Sequence, residues 1–136
     1  MPQTLQKKNK EKLSKINIVN TFFEFLLNIK FAHLTTLSFS KHHATDKLYD
    51  EFNNLYDKFL EVYIAKYGRF EPKQMQEIRY KSMTDNEFKK YLNDFNNFLS
   101  TEIFHFINKE EDTDIISIID DIKVSVVKTL YQLDLQ

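Results

Sequence analysis

Apolar residues recur along the chain at steps of three and four, the spacing of one face of an α-helix. Ile16, Val19, Phe22, Phe23, Leu26, Ile29 and Ala32 form the first such series and predict helix A over about residues 13–36. Leu48, Phe52, Leu55, Phe59, Val62 and Tyr63 predict helix B over about 41–67, capped by Ser38 or Ser40 and stopped by Gly68. Phe88, Tyr91, Leu92, Phe95, Phe98, Leu99 and Phe106 predict helix C over about 86–108. Its cap is Thr84 or Asp85, an irregularity is expected at Ser100 and Thr101, and Asn108 is a plausible stop. Ile115, Ile119, Ile122, Val126, Leu130 and Leu133 predict helix D over about 113–133. The acidic run Glu110, Glu111, Asp112 and Asp114 ahead of it suits a helix N-terminus. The reading is therefore all-α.

The strong helix breakers are few, and they fall almost together. Glycine occurs once, at Gly68, and proline twice, at Pro2 and Pro72. The A–B and C–D connections are short, so each pair of helices is an antiparallel hairpin. The B–C connection, GRFEPKQMQEIRYKSMT, runs to ~17 residues, while helix B would be ~39 Å long at 1.5 Å per residue. Such a connection can travel from one end of the helix to the other. A four-helix bundle with a long B–C crossover, of the ferritin type, needs that; a simple up-down-up-down bundle would use a short turn.

A chain of 136 residues is expected to form one domain. Residues 1–12 read as a lysine-rich tail and 13–136 as a single bundle. The net charge of −1 gives no whole-molecule attraction for nucleic acid or for acidic substrates, so any hold on phosphate must be local. The absence of cysteine removes disulfides, thiolate nucleophiles and cysteine-held zinc, leaving histidine and carboxylate as the available metal ligands. One glycine cannot make a glycine-rich phosphate loop, and no nucleophile with its base and orienting group is visible. The N-terminus has no signal-peptide apolar core and no run of ~18 apolar residues follows, so no membrane partner is expected and the location is read as intracellular, or packaged within a virion.

Within 33-HLTTLSFSKHHATDKLYDEFNNLYDKFLEVYIAKYG-68 the chemistry-bearing residues are His33, His42, Asp57 and Glu61. With Leu48 set at zero and about 100° per residue, Phe52, Leu55, Phe59 and Val62 fall on the core side, while Asp57 lies about 180° and Glu61 about 220° away. Carboxylates that point outward cannot build a metal site inside their own bundle; they can serve one shared with a second subunit. As a bland alternative, Asp57 and Glu61 are a solvated i,i+4 pair, and His33, on the apolar face, is a core histidine.

The pattern His33-x8-His42-x14-Asp57-x3-Glu61 resembles the ferroxidase signature of the miniferritins, the DNA-protection-during-starvation family. The resemblance covers Phe31 to Arg69. It implies a ferritin-like fold built into homo-oligomers from two-fold dimers. It implies iron held at an intersubunit site by His42, Asp57 and Glu61, with His33 as a secondary ligand, and ferrous iron oxidised there by peroxide or oxygen. The histidines would come from one subunit and the carboxylates from its partner. The chain departs from the family in a shorter spacing between the histidines, in Leu34 where tryptophan is usual, and in lacking a glycine- and proline-containing A–B loop. A closer variant, ending like 57-DKFLEVYIAKYGR-69, is similar to small proteins of phages and large DNA viruses.

Three further features bear on partners. Lys7, Lys8, Lys10, Lys12 and Lys15 resemble the lysine-bearing arms with which some miniferritins hold DNA, and could make weak, salt-sensitive, sequence-independent contacts; equally, they form a solubilising terminus. The apolar arc of helix A is roughly 200° wide, more than one bundle face needs, so something must cover the excess. Glu102 and His105 form a Glu-x-x-His unit of the kind di-iron bundles point inward, and Glu102 is expected to project with Phe95, Phe98 and Phe106. The rival to the iron-binding reading is a non-catalytic helical bundle, a structural or DNA-associated component of a virus particle.

Overall fold

The computed structural model describes residues 14–135. It contains four α-helices among these residues, α1 (Ile16–Thr35), α2 (Phe39–Tyr67), α3 (Asp85–Ser100) and α4 (Thr113–Asp134), with 3₁₀ turns at Pro72–Gln74 and Glu102–His105. No strand occurs among the described residues, and the protein is all-α. None of the helices is long and apolar enough to cross a membrane.

The helix boundaries follow from local chemistry. Ser38, rather than Ser40, caps α2 by accepting the Lys41 N–H at 3.3 Å, which starts the helix at Phe39, two residues earlier than the sequence suggests. At the other end Gly68 takes φ 89°, a left-handed conformation that a side chain would strain, and stops the helix. Thr84 and Glu87 form a reciprocal capping box at the start of α3, satisfying two N–H groups that the first turn leaves unpaired. Helix C, expected to reach about residue 108 on its apolar period, instead ends at Ser100. The hydroxyls of Ser100 and Thr101 donate back to the carbonyls of Asn96 and Asn97, and Thr101 leaves the helical region with φ −129° and ψ −70°. Asn108 then organises a turn rather than ending a helix: its Oδ1 accepts the N–H groups of Glu110 and Glu111.

The long connection is a crossover. Lys15 Nζ donates to the carbonyls of Tyr67 and Gly68, which sets the end of α2 beside the start of α1. From there the chain climbs along α1: the Gln76 N–H donates to Asn20 Oδ1 and the Lys81 N–H to Asn28 Oδ1, and the rings of Tyr80 and Phe31 lie 4.6 Å apart. The ion pair Lys41–Asp85 at 2.8 Å then joins the start of α3 to the start of α2. So α3 runs parallel to α2 and antiparallel to α1. Lys66 with Asp114, and Lys89 with Asp134 at 2.7 Å, bring α4 back the other way. The crossover also takes up part of the wide apolar arc of α1, so the whole excess does not call for a partner; Phe23 and Leu34 remain exposed.

Asn28 fixes the crossover. It is fully buried, its Oδ1 accepts the Lys81 N–H at 2.9 Å, and its Nδ2 donates to Glu24 O at 2.8 Å, Arg79 O at 3.4 Å and Tyr91 Oη at 3.3 Å. Asn28→Leu is expected to lower the unfolding free energy by about 2–3 kcal/mol, because buried groups of the crossover lose their partners together. Hydrogen exchange should then quicken at Lys81 more than in α4. Equal quickening everywhere would show that Asn28 does not hold this segment.

Candidate functional site

Residues 36–38 reverse the chain so tightly that the last turn of α1 lies against the first turn of α2. The His33 carbonyl sits in that last turn, where helix geometry leaves carbonyls without an N–H partner. His42 Nδ1 supplies one at 2.9 Å, and His33 Nδ1 reaches the His42 carbonyl at 2.8 Å in return. The two rings stack with centroids 3.9 Å apart and planes inclined by 23°. A carbonyl oxygen can only accept, so each Nδ1 carries the proton. In a neutral imidazole that leaves the lone pair on Nε2, the form in which histidine binds a metal.

The clasp is half buried: His33 is 7 % exposed, while His42 faces solvent. Asp46, one turn beyond His42 on α2, brings Oδ1 to 3.7 Å from His33 Nε2. Sequence reasoning passed over Asp46, although His42-x3-Asp46 has the i,i+4 spacing that puts two side chains on one helix face. One chain thus assembles two imidazoles and a carboxylate at the hairpin.

Asp57 and Glu61 are exposed on the outward face of α2, where the helical wheel puts them. From His42 to Asp57 is 15 residues, ~22 Å along the helix, so within one chain the histidines and this carboxylate pair are not brought together. Among the described residues, no group of three or more His, Asp or Glu could by itself hold a metal ion.

Glu102 and His105 are exposed, on a 3₁₀ turn. Because α3 stops at Ser100, the unit is not carried inward on an α-helix, and Glu102 opens instead onto a cleft shared with α1. Of the lysines, Lys7, Lys8, Lys10 and Lys12 lie outside the described residues. Lys15 is engaged, its ammonium capping the end of α2 and lying 5.8 Å from the centre of the Phe70 ring.

No curated protein and no solved structure matches the chain. Residues 33–133, from the first histidine of the clasp to the end of α4, match the profile of a family, and the chain belongs to it: the family of unknown function DUF5856.

Proposed function

We propose that this protein is a ferritin-like, miniferritin-type iron-binding protein whose site is completed between two subunits. The observation that carries the reading is the His33–His42 clasp, in which reciprocal Nδ1–H···O=C bonds leave the lone pair of each neutral ring on Nε2, the atom with which it would bind a metal. Three others support it. The long α2–α3 connection climbs back along α1, as a ferritin-type bundle would need. Asp57 and Glu61 face outward, where a two-fold partner's clasp can meet them. Phe23 and Leu34, on α1, leave apolar surface that a partner would cover.

In this reading ferrous iron is the substrate. His42 and His33 bind it through nitrogen, Asp46 contributes the nearest oxygen, and Asp57 and Glu61 of the facing subunit stabilise the ferric product as hard oxygen ligands while oxygen or peroxide takes the electrons. The lysines ahead of the bundle extend the proposal to weak, salt-sensitive DNA association. A non-catalytic structural or DNA-associated component of a virus particle is the competing reading. The observation favouring it is that no ligand group sufficient for a metal forms among the described residues of one chain.

Anaerobic ferrous titration of the metal-free protein, followed by air or peroxide, tests the proposal, with mass read by light scattering. Saturation at about one or two irons per subunit is expected, in a dimer or larger assembly. His42→Ala and Asp57→Ala should each weaken binding by about tenfold or more; Asp57→Ala should change the unfolding free energy by less than about 1 kcal/mol, as exposed positions do, and His42→Ala should lower it by about 1 kcal/mol, the worth of the bond it gives the His33 carbonyl. Mixing the two variants and letting subunits exchange should restore about a quarter of the sites, since about half of the dimers are then mixed and each of those carries one intact set out of two. If both act only on stability, or on neither quantity, the iron reading fails and assembly alone remains.

A further inference from the structure

We propose that the outer face of α4 binds a second copy of this chain, the two α4 helices packing antiparallel about a two-fold axis near Val124. Val124, Val127 and Tyr131 are 56 %, 57 % and 66 % exposed, although Ile118, Ile119, Ile122 and Val126 on the other side of the same helix fill the core. Their steps of three and four place them on one stripe, centred on the direction of Val124. That stripe faces away from both neighbouring helices. On one flank Lys128 meets Glu51 of α2 at 3.6 Å, and on the other Asn96 Nδ2 of α3 donates to the Lys123 carbonyl at 3.4 Å. Three large apolar side chains in a row on a solvent face mark a contact surface, unlike the scattered exposure that any surface shows.

The polar residues beside the stripe decide which partner fits. Ser117 and Asp121 precede Val124 on this face, and Lys128 and Tyr131 follow it. Reversing the helix about Val124 exchanges these positions: Asp121 of one copy comes level with Lys128 of the other, Ser117 with Tyr131, and Val124 with itself. Asp121 and Lys128 also share the α2 flank, which an antiparallel two-fold pair sets against the same flank of its partner, so the ion pair forms twice. A parallel pair would set Asp121 against Asp121 and Lys128 against Lys128, a like-charge arrangement that opposes association. Asp121 takes part in none of the ion pairs of the described residues, and the exposed Lys128–Glu51 pair is of a kind worth little, so both groups are available. Ser117 and Tyr131 bring hydroxyls that can bond to each other. Asp120 and Asp121 repel the phosphates of a lipid surface or a nucleic acid, which fit the stripe less well. One helix on another covers less than the ~800 Å² per partner of a standard interface, so the association depends on concentration.

The iron reading uses the clasp and the outward face of α2 rather than this stripe, so each contact can fail without the other. The chain contains no cysteine, so cysteines placed on α4 report its contacts alone. Under mild oxidation Val124→Cys should cross-link to itself, because residues beside the axis bring their Cβ atoms within disulfide reach. Ser117→Cys and Tyr131→Cys should each stay uncross-linked alone, since each lies ~21 Å along the helix from its own copy, yet they should cross-link to each other when mixed. In sedimentation of the full chain, Lys128→Glu should weaken self-association about tenfold, two attractive pairs becoming two repulsive ones. Adding Asp121→Lys should restore it to within about threefold. All of these positions are exposed, and circular dichroism should show each variant folded as the parent is. Absence of the Val124→Cys cross-link, Ser117→Cys cross-linking to itself as readily as to Tyr131→Cys, or an association indifferent to Lys128→Glu each overturns the proposal. The first outcome would leave the stripe to an unlike protein, and the second would mean a parallel pair.

Discussion

Phe22→Ala is expected to lower the unfolding free energy by about 3–5 kcal/mol, the range for deleting a buried aromatic ring. Phe22 is fully buried, and its ring meets four others edge-on: Phe52 at 5.8 Å, Phe59 at 5.1 Å, Phe95 at 6.0 Å and Phe98 at 6.4 Å. Those rings come from α2 and α3, so one side chain of α1 ties three helices together. Rigid aromatic neighbours cannot close over the space that alanine leaves, which puts the loss in the upper part of the range. Domains of this size are stable by only about 5–15 kcal/mol, so the variant would be near its limit at 37 °C. Urea unfolding followed by circular dichroism measures it. A shift below about 1.5 kcal/mol with an unchanged urea dependence would mean that the aromatic core is not packed around Phe22.

The second large effect is expected at Asp112, just ahead of α4. Its carboxylate is 4 % exposed and accepts from Asn108 N–H at 2.8 Å, from Lys66 Nζ at 3.1 Å and from the Tyr67 hydroxyl. Asp112→Ala takes the shared acceptor from the Asn108 N–H and the Tyr67 hydroxyl, while Lys66 keeps Asp114, and should lower stability by about 2–3 kcal/mol. Burial pushes this carboxyl up, but the Asn108 N–H, the Tyr67 hydroxyl and Lys66 outweigh it and hold it below its usual range. The folded chain therefore releases this proton more readily than the unfolded one. Its contribution is fully present above the unfolded value near 3.8 and is lost as pH falls through the folded one. Asp114, held down first by Lys66, Asp85, held down first by Lys41, and Glu87, held down first by the Thr84 N–H, carry the same sign. Stability should accordingly fall steadily from about pH 5 toward pH 2, and Asp112→Ala should flatten that fall. An acid limb of unchanged slope in the variant would remove Asp112 from the account.

Much of this architecture is written locally. The helix period, the serine and threonine caps and the lone glycine each act within a few residues, so the four helices and their order could be read from the chain. The outward register of Asp57 and Glu61 was legible for the same reason, because a helix fixes the relative direction of residues four apart. The end of α3 was misjudged through Phe106, which continues the apolar period although Ser100 and Thr101 have already turned their hydroxyls onto the backbone. Two local signals competed there, and the hydrogen bonds prevailed.

What the sequence by itself determined, then, is an all-helical chain with one long crossing and an outward carboxylate pair on its second helix. Only the tertiary structure decided which distant groups meet. The chain reversal at 36–38 turned two ordinary histidines into a mutual clasp and drew Asp46 to it. The crossover gave Asn28 two partners, the Arg79 carbonyl and the Lys81 N–H, and left one donor of Asn20 without a partner among the described residues. In the sequence both asparagines are merely polar residues within an apolar stripe. Their roles depend on backbone that arrives from about 50 residues away, and no local pattern encodes such a contact.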